Sequence, residues 1–168
     1  MKRLICFLLA GLLALSLTGC FLSPQDFEVP FYYRRAEFDY GTPDGIIAQE
    51  LHEVSGHTND LRYLLALYLQ GPSDQDLVLP FPEGTILVDF LQEGQTVTVT
   101  LSSSPTHLDP IDLNIACICL AETCFALCDA QQIHIQSLVS AAGRSVDSLI
   151  TRDSILLPGY EILPKDSE

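Results

Sequence analysis

Basic residues are scarce in this chain. Eight Lys and Arg stand against 22 Asp and Glu, a formal net charge of −14 at pH 7. Such a surface lacks the positive footprint that nucleic acid requires, and anionic lipid headgroups or wall polymers would repel it. It would accept a basic protein partner or divalent cations, although acidity serves mainly solubility. The motifs of the common catalytic classes are missing too. There is no Gly-x-Ser-x-Gly elbow, no His-Glu-x-x-His pair and no phosphate-cradling Gly loop. Nor is there the alternating Asp pattern of a calcium loop. His52, His57, His107 and His134 are scattered, and none forms a His-x-x-x-His pair. Ser102-Ser103-Ser104 runs into Pro105 as a strand exit, with no paired base in view to activate a nucleophile. His134 alternates with Ile133 and Ile135 and is expected to face solvent. These absences argue against an enzyme, and no cofactor or catalytic residue is assigned.

No apolar run reaches the roughly 20 residues that a membrane-spanning helix needs. The N-terminus carries a shorter one: Lys2 and Arg3 form a basic head, Leu4 to Leu17 is apolar, and small residues follow. That order reads as an export signal. Its end, Leu17-Thr18-Gly19-Cys20, resembles the lipobox of bacterial lipoproteins, with cleavage between Gly19 and Cys20 and a thiol at Cys20 to accept diacylglycerol. Two or more acyl chains give stable anchoring where one is marginal. The expectation is a protein lipid-anchored at the extracytoplasmic face of the cell membrane. Residues 1–19 are then the signal peptide and 20–27 a short tether without a Gly/Ser-rich stretch. One globular domain occupies 28–150, and an irregular tail occupies 151–168. Loss of Lys2 and Arg3, with no acid among residues 1–19, moves the net charge from −14 to −16.

Of six cysteines, Cys6 leaves with the signal and Cys20 carries the lipid. Cys117, Cys119, Cys124 and Cys128 remain, clustered within twelve residues. On a helix Cys117, Cys124 and Cys128 share a face while Cys119 points elsewhere. The spacing lacks the paired Cys-x2-Cys usual in zinc sites. Buried thiols, a local disulfide permitted by export, and a metal site are the three readings, in that order.

The pattern of the remainder is α+β. Val29 to Tyr33 is an aromatic, β-favouring run, and Gly41 to Gly45 is a turn cluster before a strand over 46–54. Thr58 or Asn59 caps a helix running to about Gln70, with Leu61, Leu64, Leu65, Tyr68 and Leu69 on one face. Gly71-Pro72 stops it. The prolines of Leu77 to Pro82 exclude that segment from a central strand. Thr85 to Leu91, a turn at Gln92 to Gln95, and Thr96 to Leu101 form a hairpin with valines inward and threonines outward. A second amphipathic helix covers Ile111 to about Phe125, with Leu113, Ala116, Cys117, Leu120 and Cys124 on its stripe. Strands over 132–139 and 145–150 follow. The order β-β-α-β-β-α-β-β predicts an antiparallel or mixed sheet with two helices on one face.

Leu64 to Gly71-Pro72, then Leu79-Pro80-Phe81-Pro82-Glu83-Gly84-Thr85, then Val88, the Glu93-Gly94 turn, Val97-Thr98-Val99 and Leu101-Ser102-Ser103, resembles the GerM domain of sporulation and germination lipoproteins. Tyr32-Tyr33 and Ile133-His134-Ile135 also fit, so the resemblance runs from about Glu28 to Ile150. It implies a non-catalytic domain similar to ring-building modules, in which helices of one copy pack on the sheet of the next. It implies envelope or sporulation proteins as partners, or self-association. Some relatives carry two tandem copies where this chain has one, and the cysteine-rich helix is not a family feature. The alternative function is an extracytoplasmic ligand-binding lipoprotein that grips a cell-wall fragment or a metal.

Overall fold

The computed structural model describes residues 26–38 and 45–154. Two sheets share one core. β1 (Asp26–Arg35) lies between β2 (Ile47–Ser55) and the two-residue β3 (Leu77–Val78), antiparallel to both. β4 (Leu87–Glu93), β5 (Thr96–Leu101), β6 (Gln132–Ser137) and β7 (Asp147–Thr151) form the second sheet in sequence order. The β4–β5 and β6–β7 pairs are antiparallel, whereas β5 and β6 run parallel. Parallel neighbours need a crossover, and α2 (Pro110–Leu127) supplies it. The expected α+β architecture is present, with its strands divided between two sheets. β3 sits at an edge, as Pro80 and Pro82 require.

Local chemistry sets the element ends. α1 (Leu61–Tyr68) is capped by Asp60, whose Oδ1 accepts from Tyr63 N at 3.0 Å. Thr58 and Asn59, the caps expected from sequence, instead lie in a turn closed by Asp60 N donating to His57 O at 3.1 Å. α1 ends where Gly71 takes a φ of +95°, a value that strains any residue with a Cβ. The hairpin's second strand partner β4 starts at Leu87 rather than Thr85, because Thr85 closes a turn. Its N and Oγ1 both donate to Pro82 O, at 3.1 and 2.7 Å. Val97, Val99 and Leu101 are buried and the threonines between them lie outward, as the alternation predicts.

α2 departs from the one-sided helix expected from its stripe. Leu120, Cys117 and Cys124 are buried as predicted, but so are Ile115, Cys119 and Thr123. The reason is its position between the two sheets. Thr123 Oγ1 accepts from Tyr32 N at 2.9 Å, so α2 covers the edge of β1 that the short β3 leaves without a strand partner. Cys117 faces the other way and lines a cleft together with Ser148 of β7. At 18 residues α2 is apolar enough by composition to cross a bilayer, yet half of it is buried within the domain.

β1 begins at Asp26, and a turn after β7 places Arg152 against the C-terminus of α2. Its guanidinium donates to Phe125 O at 3.0 Å, Cys128 O at 3.3 Å and Ala130 O at 3.0 Å, and lies 4.8 Å from the Phe125 ring centroid. A cation there satisfies orphan carbonyls and complements the helix dipole.

An aromatic cluster ties β1 to α1. Tyr33 and Tyr68 stack at 4.9 Å and 9°, and Tyr33 OH donates to Tyr68 O at 3.1 Å. The Tyr68 hydroxyl, by contrast, is buried without a partner. An unsatisfied buried hydroxyl costs about 1–3 kcal/mol. Tyr68→Phe is therefore expected to raise stability by about 1 kcal/mol, while Tyr33→Phe lowers it by a similar amount. Paired urea melts check both, and a Tyr68→Phe variant less stable than the parent would contradict the account.

Candidate docking surface

The register of the four-stranded sheet fixes what its outer face displays. Val97, Val99, Ile133 and Ile135 point into the core, so the alternate residues point out. One outer row reads Leu91, Thr98, His134, Leu149 across β4, β5, β6 and β7. The rows on either side are Glu93, Thr96, Gln132, Thr151 and Asp89, Thr100, Gln136, Asp147. Leu91 is 50% and Leu149 59% exposed. Ile86 just before β4, Val88 at its start, and Leu138 and Val139 after β6 are exposed as well. Large exposed apolar side chains thus concentrate on and around this sheet, the usual mark of an interaction surface. The outward threonines of β5 were legible in the sequence. Leu91 and Leu149 carry no such signal in the sequence, because only the pairing brings strands from both ends of the sheet into one row.

His134 faces outward as predicted, but it is half-buried and bonded. Its Nε2 lies 2.6 Å from Asp147 Oδ1 and 3.1 Å from Gln136 Nε2. His52 pairs with Glu50 Oε2 at 3.0 Å beneath the Phe31 ring, and the same carboxylate accepts from Ser73 N and Asp74 N. His57 packs on Tyr63. His52 and His134 each bond a carboxylate rather than a hydroxyl or thiol.

The four cysteines of the thiol cluster are gathered along α2, and all are free thiols. Cys117, Cys119 and Cys124 are buried, and Cys128 is partly exposed, its Sγ 3.1 Å from Cys124 O. Burial pushes the Cys117 thiol up to about 11, with the Ser148 hydrogen bond opposing it. Burial raises Cys119 and Cys124 further, and Cys128 is raised by the same cause. Among the described residues no three His, Cys, Asp or Glu side chains converge as a metal-ligand set. Because the thiolate is the reactive form, a disulfide-exchange reagent at pH 8 is expected to label no residue faster than Cys128 in the folded domain. All four should react after denaturation. Rapid labelling of two or more native thiols, or an intact mass showing a disulfide, would contradict this.

A cleft of about 310 Å³ opens beside Cys117, lined by Leu113, Asn114, Asp147 and Ser148 among others. Gly19 and Cys20, the expected cleavage and lipidation positions, lie outside the described residues.

No family sequence model matches the chain, and no curated protein sequence does either. Solved structures do. The fold is similar to the tandem GerMN domains of the sporulation protein GerM from Bacillus subtilis, with a TM-score of 0.56 and 18% identity. The match covers 80% of this chain and 49% of that one, so this chain spans about half of its length. A candidate lipoprotein from Clostridium perfringens matches with a TM-score of 0.47 and 18% identity, over 76% of this chain and 89% of that one. The domain is GerM-like in fold.

Proposed function

We propose that this protein is a non-catalytic docking domain of the spore-forming cell envelope. Cys20 anchors it by lipid at the extracytoplasmic face of the membrane. The outer face of its four-stranded sheet attaches it to a sporulation or germination complex. The observation that carries this reading is an open sheet face bearing exposed Leu91 and Leu149 on a fold like that of the GerM domains. The lipobox-like segment supplies the anchor. Five residues, 21–25, separate Cys20 from the first residue of β1, a reach of at most about 20 Å for extended chain. The domain therefore works close to the bilayer.

Deletion of the gene in its host is the direct test. Fewer heat-resistant spores, or spores slow to germinate, are expected. Normal spore numbers and normal germination would contradict the proposal. The second reading is a ligand-binding lipoprotein, favoured by the cleft beside Cys117. Native mass spectrometry of the mature chain with a metal or small molecule retained would support it.

A further inference from the structure

We propose that the outer face of the four-stranded sheet docks a partner protein whose contact surface is apolar at its centre and basic at its flanks, and not a second copy of this chain. This rests on the docking reading above and names the chemistry of the partner. The face has an apolar middle, where exposed Leu91 and Leu149 flank Thr98 and His134. Acids stand in the rows on both sides, Glu93 in one and Asp89 and Asp147 in the other. None of the three rows contains a Lys or Arg. Arg62 of α1 reaches the face and bonds Asp89 at 2.7 Å from the β4 edge.

Two copies meeting by this same face would form an isologous pair. Such a pair sets acidic rows against acidic rows, between chains that each carry a net charge of −14 or beyond. Like-charge juxtaposition of that kind is a device for rejecting partners. The other self-association, the sheet of one copy on a helix of the next, needs a free apolar helix face. α2 is covered on two sides by β1 and by the second sheet, and its open side sets exposed Ile111 beside Asp109, Asp112 and Glu122, acids that would face the acidic rows of the sheet. The outward residues of α1 are Arg62, Tyr63 and Ala66, which form no apolar stripe. A flanking Lys or Arg on a partner would instead meet Glu93 or Asp147 while its apolar centre covers the two leucines.

The test uses the mature chain, residues 20–168 with Cys20→Ser, isotope-labelled for NMR. Two octapeptide probes are added, one alternating Leu and Lys and the other alternating Leu and Glu. The chain is expected to sediment as a monomer at about 0.3 mM. The Leu/Lys peptide should shift amides of β4 to β7, and the Leu/Glu peptide should shift none. Leu91→Ser/Leu149→Ser, which leaves charge unchanged and alters only exposed positions, should weaken Leu/Lys binding about tenfold. Three results would each overturn the proposal: a dimer dispersed by the double variant, peptide shifts lying off the sheet, or binding unaffected by the double variant. A spore defect with a negative peptide result would leave the docking role standing and remove only the partner chemistry.

Discussion

Phe31→Ala is expected to cost about 4 kcal/mol, which is the middle of the range for deleting a fully buried aromatic ring. Phe31 lies in β1 with no exposed surface. Its ring meets Tyr33 edge-on at 6.4 Å, Tyr68 edge-on at 5.8 Å, and His52 at 4.7 Å. It therefore links β1 to β2 and to α1 at once. Truncation leaves a void among rings that are already stacked and hydrogen-bonded and cannot collapse to fill it. Domains of this size hold about 5–15 kcal/mol in total, so the variant keeps a small margin and its melting temperature falls by about 15 °C. Leu149→Ala, on the open face, should change the melt by well under 1 kcal/mol. Comparable losses at the two positions would contradict the assignment of inner and outer surfaces.

Cys20→Ala is expected to abolish both lipid labelling and maturation. In the proposed anchor the thiol accepts the diacylglycerol, and cleavage of a lipobox follows that modification. Without it the chain should persist as a precursor longer by the nineteen residues of the signal. Its apolar segment, Leu4 to Leu17, is shorter than the roughly 20 residues of a stable span. Metabolic labelling with a fatty-acid analogue, followed by gel migration, reads both effects. Each buried methylene of an acyl chain contributes about 0.8 kcal/mol to membrane affinity, so removing the acylation changes partitioning by orders of magnitude. A variant that matures normally and still carries label would exclude Cys20 as the anchor.

Much of the fold was legible because local signals and burial agreed. Gly71-Pro72 ended a helix, Gly94 at φ +60° turned a hairpin, and Val97 and Val99 alternated with threonines. Thr85 misled because a threonine suits a strand, yet its hydroxyl bonded Pro82 O and held a turn. α2 misled for a different reason. Small residues such as Cys119 and Thr123 look neutral in a periodicity count, but they let the helix lie against the edge of β1. Arg152 could not be read at all, since its acceptors, Phe125 O, Cys128 O and Ala130 O, are backbone atoms more than twenty residues earlier. The outer face of the four-stranded sheet was half legible. Alternation gave the side on which Thr98 and His134 lie, and only the β4 and β7 pairings added Leu91 and Leu149.

The proposed function has this domain tethered to a membrane and docked onto a spore-forming envelope complex. Immunofluorescence of a C-terminally epitope-tagged copy in cells entering sporulation tests it most directly. Enrichment at the asymmetric septum or the engulfing membrane, lost in the Leu91→Ser/Leu149→Ser variant while membrane association is retained, is the predicted result. A uniform membrane signal that does not change through spore formation would contradict it.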